Sequence, residues 1–167
     1  WWSHAEPFAF ERDYRPTPGI GQMLSGTQPI VSLALVNVGL ETFKQVDICA
    51  LRTKSIALGQ LLIDLMEQRC PSYGFDLISP EHAEQRGSHV FFAHEHGYPI
   101  MKALINAGVI GDFRAPDTVR FGIAPLYLRY SDIWDAVEIL HEMMATGSWQ
   151  NEIVTNSDDA DPESGRR

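Results

Sequence analysis

Apolar residues recur at helical spacing over two long stretches in the first half of the chain. Between Ile30 and Val46 they fall at Ile30, Leu33, Ala34, Val38, Leu40 and Phe43, which predicts a largely buried helix with Thr27 as its N-cap and Pro29 in its first turn. From about Asp47 to Gln68, Ile48, Leu51, Leu58, Leu62 and Leu65 form one stripe while Lys54, Gln60, Asp64 and Glu67 lie off it, the pattern of a second, amphipathic helix. Cys70-Pro71-Ser72-Tyr73-Gly74 breaks that helix, and both periods are then mixed. Phe75–Ile78 reads as a short strand before Pro80, Ser88–Ala93 as a strand, and Tyr98–Ala107 as a helix ended by Gly108. Val109–Arg114 reads as another strand, with Thr118–Ile123 as its hairpin partner across Ala115-Pro116-Asp117. Ser131-Asp132 caps a last helix from Ile133 to about Thr146, its stripe made by Ile133, Val137, Leu140 and Met144 and its end by Gly147. Two long helices followed by β-α-β-β-α predict an α+β fold, a small and mostly antiparallel sheet covered by helices.

Three segments follow from the same pattern. Residues 1–29, rich in Pro, Gly and aromatic side chains, read as an ordered loop segment; residues 30–150 hold the helices and the α+β domain; residues 151–167 form an acidic tail expected to be disordered. The 167 residues, 44% hydrophobic and 21% charged, suffice for one domain with a core. Thirteen Lys and Arg against 22 Asp and Glu leave a formal net charge of -9, so the broad basic field that nucleic acid or an anionic membrane surface would require is missing. No stretch approaches the roughly 20 apolar residues of a membrane span, and the first residues do not show the basic-then-apolar pattern expected of a leader. Cys49 and Cys70 are too few for a disulfide framework, which points to reduced thiols and a cytoplasmic protein. The opening Trp1-Trp2-Ser3-His4, without Met, is expected to belong to a longer chain.

Few positions carry chemistry. His94-Glu95-His96 has the look of a metal pair, but it abuts Gly97 and no third ligand is suitably spaced, so no metal is assigned. Gly19-Ile20-Gly21 follows no strand and is too short for a dinucleotide loop. Ser25-Gly26-Thr27-Gln28-Pro29, placed just before a helix, is either an ordinary N-cap or a cradle of backbone N–H groups for a phosphate. Arg120 lies in an apolar strand, where a guanidinium is costly without an anion; either an internal carboxylate such as Asp112 or a ligand carboxylate should face it. Lys44, Lys54 and Lys102 read as solvated side chains, and no nucleophile, base and orienter stand together.

Taken together, Trp1-Trp2-Ser3-His4, Leu24-Ser25-Gly26-Thr27-Gln28-Pro29-Ile30 and Gly108-Val109-Ile110-Gly111-Asp112-Phe113-Arg114-Ala115-Pro116-Asp117, with Arg120 and Pro125-Leu126-Tyr127, resemble the C-terminal part of bacterial kynureninases from Trp1 to about Ser148. The resemblance implies the small C-terminal domain of a fold-type-I pyridoxal-phosphate enzyme, preceded by a long helix and cofactor-proximal loops. It implies hydrolysis of L-kynurenine to anthranilate and L-alanine, in tryptophan catabolism, by a homodimeric parent. By the same resemblance Trp1 and Thr27 bind the phosphate of pyridoxal 5'-phosphate, Arg120 grips the substrate α-carboxylate, and Gly26 lies near the substrate's aromatic ring. Because Gly26 and Thr27 offer no spare polar group there, the unhydroxylated L-kynurenine is the expected substrate. The family's cofactor-bearing lysine lies upstream of Trp1, so no catalytic residue is assigned in this segment, which alone is expected to be inactive and to need an upstream chain. The alternatives are the small domain of a cysteine desulfurase or class-V aminotransferase, or a non-catalytic α+β interaction domain.

Overall fold

The computed structural model describes residues 2–153, and from residue 154 on the expected tail lies outside the described residues. They fall into two compact units divided between Val46 and Asp47, so the first long helix groups with the N-terminal loop.

In the N-terminal unit the loop folds back on itself. Ala5 N donates to Arg15 O at 2.7 Å and Thr17 N to Ser3 O at 2.8 Å, an isolated bridge centred on His4 and Pro16. A single 3-10 turn at Gly19–Met23 follows, and then α1, Ile30–Glu41. The structure corrects three expectations about α1. Its N-cap is Pro29, which supplies no side-chain hydrogen bond, and Thr27 stands outside the helix. Nor is it buried: Ile30, Val31, Leu35 and Val38 are 76, 74, 66 and 64% exposed. The sequence IVSLALVNVGLE is apolar on every side, so its periodicity has no single face to place against a core. The helix stops at Glu41, short of Val46, because the chain passes into turns in which Thr42, Phe43 and Lys44 donate to carbonyls three residues back.

The C-terminal unit begins with α2, Ile48–Arg69, capped by the Asp47 carboxylate, which accepts from Cys49 N at 2.9 Å. Then come β1 (Asp76–Leu77), a 3-10 turn at Ala83–Gln85, β2 (His89–Ala93), α3 (Gly97–Asn106), β3 (Asp112–Arg114), β4 (Thr118–Gly122) and α4 (Tyr130–Thr146). The sheet order is β1-β2-β4-β3, antiparallel throughout, with β3 and β4 joined as the expected hairpin. One face of it is dry. Val90, Phe92 and Val119 pack with Leu58 and Leu62 of α2, Ile100 and Leu104 of α3, and Val137 and Leu140 of α4. Leu58, Ile100, Leu104 and Val119 retain no exposed surface. The fold is thus α+β, a small antiparallel sheet covered by helices, as the pattern predicts. α4 starts earlier than Ser131-Asp132 implied: Arg129 is the N-cap, and Asp132 reaches back to accept its backbone N–H at 2.7 Å.

Candidate functional site

Strand alternation sends every second side chain of β4 away from the core. Val119 points in and is fully buried; Arg120, next along, takes the opposite face with its side chain 28% exposed. The register sets Arg120 opposite Asp112 on β3 and Phe91 on β2. Directly opposed side chains on one face lie within reach of each other, and Arg120 Nη2 donates to Asp112 Oδ2. Two residues beyond Asp112, Arg114 shares its face, and Arg114 Nη2 donates to the same Oδ2 at 3.0 Å. Both readings of Arg120 are therefore physically open: the internal carboxylate faces it, and two guanidiniums on one carboxylate leave a net charge of +1. Arg114 is the residue the sequence did not single out, although the Asp-x-Arg spacing in a strand places both side chains on one face.

The other candidate positions belong to the N-terminal unit. Gly26 precedes α1, and a Cβ placed there would meet nothing within 4 Å, so a ligand atom has room to approach the backbone. Thr27 is exposed, its hydroxyl without a hydrogen bond among the described residues. The N–H groups of Ile30, Val31 and Ser32, the first turn of α1, likewise have no acceptor among the described residues. Backbone N–H groups with a hydroxyl ahead of a helix are the donor set a phosphate takes, so these residues fit the phosphate of pyridoxal 5'-phosphate. Trp1 lies outside the described residues.

The remaining titratable clusters serve the fold. His94 is buried; its Nδ1 accepts from His96 N at 2.9 Å, which leaves Nε2 to donate to Tyr73 O at 2.8 Å. Burial holds its pKa below the ordinary histidine value. The His96 ring stacks on Trp149 with centroids 5.0 Å apart. Arg86, also buried, donates to Pro80 O, Glu81 O and Gln60 Oε1, and Arg52 donates to Ala83 O and Arg86 O. These two arginines clamp the loop before β2, a role without a signature in the sequence. Lys44 pairs with Glu41 at 2.5 Å and Lys102 with Glu152 at 3.2 Å.

An antiparallel sheet helix-covered on one face, with a partly exposed arginine pair on the other, defines a small α+β domain. The kynureninase C-terminal domain family matches residues 51–140, and the chain belongs to that family. It is 48% identical over 150 residues to the kynureninases of Burkholderia mallei (strain SAVP1) and Burkholderia pseudomallei (strain K96243), which covers 90% of this chain and 36% of each relative. Against the kynureninase of Pseudomonas fluorescens it is 48% identical over 149 residues, 89% of this chain and 36% of the relative. The chain thus spans about a third of the length of these curated relatives.

Proposed function

We propose that the chain acts as the C-terminal portion of a kynureninase, a hydrolase that cleaves L-kynurenine with water to anthranilate and L-alanine, using pyridoxal 5'-phosphate. The observation that carries this reading is Arg120, which stands on the face of β4 opposite the core within the family-matched residues 51–140, at the position to which the resemblance assigns the grip on the substrate α-carboxylate. Planar guanidinium and planar carboxylate meet through two parallel hydrogen bonds, a geometry that fixes the substrate's orientation as well as its charge.

The cofactor, when bound, supplies the electron sink that makes the carbon–carbon bond breakable. This chain's residues bind and orient. Thr27 and the open N-terminus of α1 offer hydrogen-bond donors to the phosphate, as Trp1 does by the resemblance; Gly26 leaves space beside the aromatic ring. Residues 1–29 continue the cofactor-binding body, and the lysine that carries the cofactor comes from an upstream portion of the polypeptide, in a homodimer acting in the cytoplasm.

The test is to express the full-length polypeptide bearing this sequence, load it with pyridoxal 5'-phosphate and add L-kynurenine. Release of fluorescent anthranilate supports the reading. A cofactor-loaded protein that releases none refutes it.

A further inference from the structure

We propose that Asp112 is a positioning residue for substrate binding: it anchors the Arg120 guanidinium so that the guanidinium's remaining N–H groups face the incoming carboxylate. The inference rests on the proposed function of Arg120.

Three observations carry it. Asp112 is the residue directly across the β3–β4 ladder from Arg120, and its Oδ2 accepts from Arg120 Nη2. A guanidinium has five N–H donors, so this contact leaves most of the fork available to a second carboxylate. An arginine side chain otherwise samples many rotamers, and whatever freedom it keeps must be frozen when substrate binds. The second observation is charge. Arg114 and Arg120 both donate to one oxygen of Asp112, so the three side chains carry +1 in total, a cluster short of one anion. The third is exposure. The Asp112 and Arg114 side chains are 36 and 63% exposed, and ion pairs that open to water add little to folding, so Asp112 is poorly explained as a device for stability.

Charge and orientation make opposite predictions, which is what allows a decisive experiment. Removing the Asp112 carboxylate raises the cluster from +1 to +2; if net charge governed binding, substrate would bind more tightly. If orientation governs it, substrate binds less well. In the full-length, cofactor-loaded polypeptide, Asp112→Ala is expected to raise KM for L-kynurenine by about tenfold, the worth of one well-aligned charged hydrogen bond, with kcat changed by less than about threefold. Asp112→Asn keeps an acceptor oxygen and is expected to recover most of that loss. In an Arg120→Ala background the Asp112→Ala change is expected to add nothing, because a positioning residue has no effect without the group it positions. The visible absorbance of the cofactor and the Tm serve as controls for folding.

An unchanged or lowered KM in Asp112→Ala, or a loss that simply adds to that of Arg120→Ala, overturns the inference. Arg120→Ala separates the two levels. If that variant alone leaves KM unchanged, the carboxylate-binding role of Arg120 itself is wrong; if it raises KM while Asp112→Ala does not, only the positioning role falls.

Discussion

Val119 and Arg120 are neighbours in sequence and opposites in environment, one without exposed surface and one more than a quarter open to water. Replacing Arg120 therefore opens no cavity. Under the proposed function, Arg120→Lys keeps the charge without the fork, so the full-length polypeptide carrying it is expected to bind L-kynurenine at least about tenfold more weakly than the unmodified one while keeping its cofactor spectrum. Parallel KM and absorbance measurements check this. His94 offers a second test. It is buried with both ring nitrogens engaged, and burial favours the neutral ring, lowering its pKa from the ordinary histidine value near 6.5, with the Tyr73 carbonyl acting the other way. The unfolded chain then binds the proton more readily than the folded one. The stability that neutral His94 contributes is complete above about pH 6.5 and is lost as pH falls through the lower folded value. Thermal unfolding between pH 7.5 and 5 is expected to show a larger drop in Tm for the unmodified protein than for His94→Gln; equal drops would assign the dependence to other groups.

At the level of elements, the hairpin that carries Arg120 is seated against α3 through a glycine. A Cβ at Gly97 would stand 2.8 Å from the Asp117 carbonyl oxygen and 3.2 Å from both Phe113 and Val119. Backbone at that distance cannot step aside without moving the β3–β4 turn. Gly97→Ala is expected to cost about 1–3 kcal/mol by overpacking, read as a lower midpoint in urea unfolding, and to weaken substrate binding in the full-length enzyme by displacing the hairpin. Most elements of this unit were legible in the sequence because each has one wet and one dry side. α2, α3 and α4 alternate apolar and polar residues at the helical period, and the hairpin announces itself by two short β-rich runs around Ala115-Pro116-Asp117. Ends were less legible, since they depend on individual hydrogen bonds: Asp132 reaching back to Arg129 N starts α4 earlier than the spacing implied. α1 misled for the opposite reason, because a helix apolar all round gives the period no phase. Of the candidate site, Arg120 was readable from the cost of a guanidinium in an apolar strand. Asp112 was already the internal carboxylate named from the sequence, and the register sets it opposite Arg120; Arg114 on the same oxygen required the structure.

For the molecule as a whole, the expected substrate follows from what is missing at Gly26 and Thr27. With the Thr27 hydroxyl given to the cofactor phosphate as proposed, and Gly26 bearing no side chain, neither residue rewards a ring hydroxyl, so kcat/KM in the full-length polypeptide should favour L-kynurenine over its 3-hydroxylated form. A preference for the hydroxylated substrate would assign the choice to other residues. The apolar exterior of α1 is a liability for this chain studied on its own. Twelve residues interrupted only by Ser32, Asn37 and Glu41 stand largely exposed, a surface on which separate copies would adhere despite a net charge of -9. The form such aggregates take is set elsewhere, by the borders of the sheet. β1 at one border has two residues and is followed by Pro80; β3 at the other has three, two of them Asp112 and Arg114, and Pro116 follows. Strands so short and so charged make poor templates for further strands. Concentrated samples should therefore turn cloudy without staining with thioflavin T, and an acidic residue at Val31 or Val36 should clear them: a protein that clumps through a helix and does not grow amyloid fibrils.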